Sequence, residues 1–330
     1  MRRCLLGLIV ASVLWGGAMS GTKFALGAFA PVTLLATELA AAAAVLWLVL
    51  LARGYRAPRV WWLPVILGLL EPALAYLGET LGLSMTSAVH GALLSGLESA
   101  LVVVLAALVL RETITLAAAL AVLVAAGGLV VLAGPGASQG TAAGDLLVAG
   151  GVLSASLYTI VAKRFDDGSD PLSLTTWQFT VAALAVGGAA TVRWASGAEA
   201  APVAVAPRFW LAAALVGVAG YGLSFLIFNT VISRVGATQA AVVLNLIPVF
   251  AFFGATVFLG EGVTSADVIG AVLVGGSVLY FTAADCRPGS GAESPATAAA
   301  APGAAAEPFS ACIGWPGPGS VREDENRRPS

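Results

Sequence analysis

The chain has 330 residues, of which 59% are hydrophobic and only 10% charged, and its formal net charge is −2. Soluble domains carry roughly 25% charged residues, so this composition, with a mean hydropathy of +0.94, belongs to a polytopic membrane protein. The near-neutral balance, with no basic stripe, excludes a nucleic-acid partner. A single histidine, His90, leaves no HExxH zinc motif and little material for a Ser/His/Asp triad, and no Walker motif is present to make ATP the direct energy source. Cys4, Cys286 and Cys312 are placed outside the hydrocarbon at none of the spacings that build zinc or redox sites, so no metal, cofactor or disulfide is expected.

A spanning helix needs about 20 mostly apolar residues. The opening MRRCLLGLIVASVLWGGAMSG fits a signal peptide or a first transmembrane helix, and the recurrence of similar runs favours the helix. Breaks in hydropathy predict five helices over Leu5 to Leu26, Pro31 to Ala52, Trp61 to Leu83, Ser87 to Leu110 and Leu116 to Ala133. A Gly-rich hinge at 135–144 follows. Five more helices are predicted over Asp145 to Lys163, Leu172 to Val192, Phe209 to Ser233, Ala237 to Gly260 and Ala266 to Ala284. The remainder, 285–330, is rich in Ala, Pro, Gly and Ser and is expected to be a disordered cytoplasmic tail.

The second half repeats the first. An offset of 149 lays Gly68 on Gly217, Tyr76 on Phe225, His90 on Gln239 and Glu112 on Glu261; before the third helix an offset of 140 pairs Lys23 with Lys163 and Glu38 with Gln178. Five helices per copy make the second enter the membrane from the opposite side, the inverted repeat of many secondary transporters. Arginines and lysines are concentrated at the ends that this topology puts inside, so both termini are expected in the cytoplasm. Gly17 with Gly21, and the pairs Gly127–Gly128, Gly187–Gly188 and Gly275–Gly276, read as positions of close helix approach.

Four stretches, LWGGAMSGTKFAL, ALVLRETIT, GDLLVAGGVLSASLYTIVAKR and NLIPVFAFFGATVFLGE, resemble the EamA repeats of the drug/metabolite transporter superfamily over about residues 5 to 284. The resemblance implies ten helices as two repeats (1–134 and 145–284), cytoplasmic termini, and export or exchange of small metabolites, amino acids or drugs through a central cavity. Three positions depart from that pattern or echo it only in part. Glu38 stands where the second helix often has a basic residue, and Ser99 stands where the fourth helix usually has a proline, kept in the second half as Pro248. Glu98 resembles a glutamate that some members place beside that proline.

The candidate site residues are acids inside this apolar background. At about 1.5 Å of rise per residue, Glu71 and Glu98 lie roughly 15 Å into a core about 30 Å thick, near the midplane, whereas Glu38, Glu79 and Lys23 fall nearer the outer surface. Glu71 and Glu79, about 12 Å and about 80° apart on one helix, can line one cavity without touching. Charge at the bilayer centre costs on the order of 3 kcal/mol and commonly marks an ion or substrate path. Glu71 and Glu98, lacking a fixed cation at their depth, are expected to bind protons or a cationic substrate alternately, with Pro72 breaking the helix beside them. Each acid has the alternative of staying protonated and bonding a neighbouring helix through Tyr76, Ser95 or a backbone carbonyl; Glu38 and Glu79 have the further one of reaching the interface. Trp15, Tyr76, Tyr158, Trp177, Tyr221 and Asn245 lie within helices and offer faces for an apolar or cationic solute.

The expected function is therefore a plasma-membrane secondary transporter exporting a small amphipathic or cationic metabolite or drug in exchange for protons. Its partners are the solute, protons and the lipid bilayer, with a homodimer also considered. An uncoupled facilitator of the same fold, an acid/base enzyme using Glu71 and Glu98, and a membrane scaffold are the other readings, the last two disfavoured by the repeat and by the short loops.

Overall fold

The computed structural model describes residues 2–111, 113–114, 116–132, 141–232, 234–235, 237–260 and scattered positions between 268 and 280. Among them the backbone is helical, with no strand. The elements in chain order are α1 (Arg2–Ala25), α2 (Pro31–Ala52), α3 (Trp62–Met85), α4 (Ala88–Ser95 and Leu97–Leu110), α5 (Leu116–Leu132), α6 (Ala142–Arg164), α7 (Pro171–Ala195), α8 (Pro207–Ile232) and α9 (Ala237–Leu244 and Leu246–Leu259). Seven helices are long and apolar enough to cross a membrane, and Leu97–Leu110 is a shorter apolar helix. Most of the expected last helix, the hinge up to residue 140, the tail, Glu112, Glu261, Cys286 and Cys312 lie outside the described residues.

The helix limits follow local chemistry. Pro31, Pro171 and Pro207 open α2, α7 and α8 at the position where a missing N–H is harmless. Asp170 caps α7 by accepting from Ser173 N, and Thr141 caps α6 by accepting from Gly144 N, which starts α6 three residues before the expected Asp145. Cys4, expected outside the hydrocarbon, is buried inside the first candidate span. The side chains around the bundle's outside are apolar, with Leu108, Leu184 and Phe258 each more than 70% exposed. That is the surface a lipid solvent requires.

Packing centres on α2 against α7 and α3 against α6, with α8 crossing α1 and α2. Backbones meet directly where glycines permit it. A Cβ on Gly217 of α8 would stand 2.2 Å from the carbonyl oxygen of Glu38 in α2, and one on Gly68 of α3 would stand 2.5 Å from that of Gln178 in α7. By contrast, no heavy atom of the described residues lies within 4 Å of a Cβ built on Gly17, Gly127, Gly187, Gly188 or Gly276; of the GxxxG pair only Gly21 is tight, against Val216. Gly17, Gly127, Gly187 and Gly188 therefore make no close approach to a described neighbour, because spacing along a helix does not say which neighbour its face meets.

Matching contacts recur at the two offsets seen in the sequence. Lys23 Nζ donates to the carbonyls of Leu83 and Thr86 at 2.7 Å each, and Lys163 Nζ donates to those of Ile232 (3.1 Å) and Val235 (2.8 Å). Both lysines thus cover acceptors where α3 and α8 run out of intrahelical donors. α4 is interrupted at Gly96 and α9 at Asn245, and the two end on left-handed residues, Arg111 (φ 56°) and Gly260 (φ 70°).

The loop after α7 has one role that spacing did not suggest. Ala30 gives α2 no side-chain cap. Instead Glu199 reaches across to accept from Val32 N (3.2 Å), Thr33 N (3.0 Å) and Thr33 Oγ1 (2.9 Å), and it pairs with Arg193 Nε at 3.0 Å. An acid at a helix N-terminus satisfies orphan donors and opposes the positive end of the dipole.

Two stability outcomes are expected in detergent melts. Gly217→Ala should cost about 1–3 kcal/mol because a backbone carbonyl cannot rotate away, while Gly17→Ala should leave the melting temperature unchanged. Glu199→Ala should cost about 1.5–3 kcal/mol by removing charge-assisted bonds to α2.

Candidate functional site

The helix α3 is broken where the sequence places an acid before a proline. Glu71 adopts φ −151° and ψ 125°, extended backbone inside the helical run, and the Glu71–Pro72 peptide is cis. A carbonyl left over at such a break needs a partner in hydrocarbon. Ser154 of α6 supplies it, donating to Leu70 O at 2.7 Å. At the matching stretch of α8, Val216–Leu223, the helix is also widened, without a proline.

Beside this break lies a cavity of about 60 Å³, lined by α1, α3, α4, α6, α8 and α9. Glu71, Glu79 and Glu98 all border it, together with Trp15, Tyr76 and Tyr221. Six of the eight expected site residues thus share one space. That space holds a few water-sized groups as it stands, against the roughly 300–1,000 Å³ of pockets for drug-sized ligands. No hydrogen bond or ion pair engages the three cavity glutamates among the described residues, and they are close enough to feel one another's charge. Glu79, expected nearer the surface, is a member of the same cluster.

Part of the lining is apolar. Phe228, Leu244 and Ile247 contribute to it, and Phe228 and Ile247 stand 149 positions after Glu79 and Glu98. The aromatic groups are locked to one another: Trp15 Nε1 donates to Tyr76 OH at 2.6 Å, and the Tyr76 and Tyr221 rings stack with centroids 4.0 Å apart. These contacts fix two phenols at the cavity wall.

Glu38 and Asn245 do not line the cavity. Glu38, allowed by the sequence to reach the interface, is instead fully buried. Its Oε1 accepts from Thr22 Oγ1 at 3.1 Å, Thr22 Oγ1 lies 3.1 Å from Tyr221 OH, and its Oε2 has no partner among the described residues. The reason is azimuth: position along α2 does not say which face a residue takes, and Glu38 lies on the face that meets α1 and α8. Asn245 is buried at the interruption of α9, and neither of its side-chain polar atoms has a partner among the described residues. Trp177 packs against Trp47 and Trp61, away from the cavity.

Sequence reasoning missed a second polar network. Tyr158, which lines the cavity, donates to Asn229 Oδ1 at 2.6 Å, and Asn229 Nδ2 donates to Thr175 Oγ1 and Gln178 Oε1 at 2.9 Å each. Gln178 is the residue that the 140 offset pairs with Glu38, so the signal was present in the repeat. Both members of the pair sit beside the glycine crossings and lead by hydroxyl groups toward the cavity.

A family model described as the EamA-like transporter family matches residues 2–134 and 142–283. Over 283 residues the chain is 27% identical to an uncharacterized transporter, YyaM, of Bacillus subtilis (strain 168), covering 81% of this chain and 89% of that protein. A solved crystal structure of a protein superposes with a TM-score of 0.67 at 21% identity, covering 85% of this chain and 96% of the other, a likeness of fold.

Tyr158→Phe leaves the Asn229 carbonyl unpaired in a dry site. A loss of about 1–3 kcal/mol is expected, measured as a lowered unfolding midpoint in detergent.

Proposed function

Since the chain belongs to the EamA-like transporter family, we propose that it is a secondary transporter exporting a small amphipathic or cationic metabolite or drug in exchange for protons. The observation that carries this reading is the mixed lining of the cavity, which Glu71, Glu79 and Glu98 border together with Phe228, Leu244 and Ile247. The acids suit a cationic head and the apolar side chains an apolar body, with the Tyr76 and Tyr221 rings as further cation-attracting surface. Three acids border this one narrow space, and no hydrogen bond or ion pair among the described residues occupies their carboxyl groups. Protons and a cationic solute then compete for the same carboxylates, which is the requirement for exchange.

Alternating access through two inverted five-helix halves is part of the same reading. It is supported by the lysine-to-carbonyl contacts, the interruptions at Gly96 and Asn245, and the left-handed ends at Arg111 and Gly260, all at the offsets of the repeat. The narrow cavity fits a closed stage of such a cycle, and the break at Glu71 supplies a place for α3 to bend. The clustering of basic residues at one set of helix ends supports cytoplasmic termini in the plasma membrane.

The test uses proteoliposomes loaded with a pH-sensitive dye and challenged with a panel of amino acids, organic cations and drug-like solutes. Wild type should show solute-dependent proton flux, and Glu71→Gln should abolish it. Solute movement without proton flux, together with a normal Glu71→Gln variant, would make the protein an uncoupled facilitator and Glu71 a structural group.

A further inference from the structure

A second site candidate lies at the far end of α4 and α6, remote from the glutamates. Arg111, Lys163 and Arg164 face one groove of about 600 Å³ with Val109 and Leu110. Lys163 is held on the carbonyls of Ile232 and Val235, which fixes one positive charge at the groove wall. The guanidinium groups of Arg111 and Arg164 take part in no hydrogen bond or ion pair among the described residues; Arg164 only leans over the Phe165 ring, 5.9 Å from its centroid. The nearest described carboxylates in sequence are turned into their own loop, Asp166 Oδ1 accepting from Gly168 N and Asp167 Oδ1 from Ser169 N.

Basic residues at helix C-termini are favourable for the dipole alone. That accounts for a cation at each helix end. It does not account for three cations lining one groove with two guanidinium groups unengaged among the described residues, a set that phosphate oxygens match. The surroundings indicate where the phosphate comes from. Leu108, three residues before Arg111, is 73% exposed with Val104 one turn earlier also exposed, and on α6 Leu153 and Leu157 are exposed, so each helix of the groove carries an apolar strip leading away from its basic end. Trp62 and Phe165, the latter next to Arg164, are both about half exposed and pack edge to face at 5.3 Å, the tryptophan being a ring favoured at headgroup depth.

We propose that this groove binds the phosphate headgroup of an anionic lipid, with Arg111 and Arg164 holding the phosphate and the acyl chains lying along Leu108 and Leu157. Basic pockets between transmembrane helices take anionic headgroups by the same balance of charge and hydrocarbon. A soluble phosphate would use the cations but not the strip.

The experiment is lipid retention by the full-length protein, purified from vesicles of equal parts phosphatidylglycerol and phosphatidylcholine and read by native mass spectrometry. Wild type should keep phosphatidylglycerol in preference to phosphatidylcholine. Arg111→Gln combined with Arg164→Gln should lower that retention about tenfold, while Arg208→Gln, at the other end of the bundle, should not change it. Equal retention of both lipids by wild type would overturn the proposal without recourse to any variant. So would undiminished phosphatidylglycerol on the double variant, or its displacement by millimolar inorganic phosphate, which would make the groove a site for soluble anions.

Discussion

Helices in a bilayer gain little by covering apolar surface, since lipid tails are as apolar as leucine, so their association depends on how closely their backbones can approach. In this bundle that approach is set where Gly217 meets the Glu38 carbonyl and Gly68 meets the Gln178 carbonyl. These crossings bring α2 onto α8 and α7 onto α3, and they carry polar residues into the interior. The hydrogen-bond networks of Glu38 and Gln178, and the cavity beyond them, depend on those two contacts being as short as they are.

The same absence of water makes every loose backbone group a demand on its neighbours. The carbonyl beside the α3 break takes a hydroxyl from Ser154, the ends of α3 and α8 take ammonium groups from Lys23 and Lys163, and the start of α2 takes a carboxylate from Glu199. Each donor or acceptor comes from a different helix or loop, so the repairs to local defects are also the ties that hold the tertiary structure. The cavity glutamates stand out against this pattern, because polar groups elsewhere in the interior are mostly engaged.

Much of this was legible in the sequence where one variable decides the outcome. Helix limits follow hydropathy, proline and caps, and the ends of α1 to α4 and α6 to α9 fall within a few residues of expectation. The offsets paired Lys23 with Lys163, Glu38 with Gln178 and Gly68 with Gly217, and each pair makes corresponding contacts. Rotation about the helix axis was not legible. Depth along α2 could not tell whether Glu38 faces lipid or α8, and the glycine pairs could not tell whether they face a partner. Long-range partners were equally hidden: Glu199 caps a helix more than 160 residues earlier, and Asn229 joins Tyr158 to Gln178 from three different helices. The meeting of Glu71, Glu79 and Glu98 was nevertheless foreshadowed, since acids too costly to leave in lipid have only the bundle interior to occupy; that cost does not apply to Trp15, Tyr76 and Tyr221, whose rings can equally face lipid.

The halves of the chain correspond in backbone but not in charge. The described glutamates within helices all belong to the first, Glu199 of the second lying in the loop after α7, and the positions that answer to Glu38, Glu71, Glu79 and Glu98 are Gln178, Gly220, Phe228 and Ile247. If two such halves trade conformations, the exchange is not a reflection of the molecule onto itself: the acids would be desolvated to different extents in the two arrangements, so the arrangements would differ in free energy. The resting population would then lean to one side of the membrane, by an amount that the occupancy of the carboxylates resets. In such a molecule the unequal weight of the two arrangements would come from the acids of one copy, while the net direction of transport would still follow the solute and proton gradients.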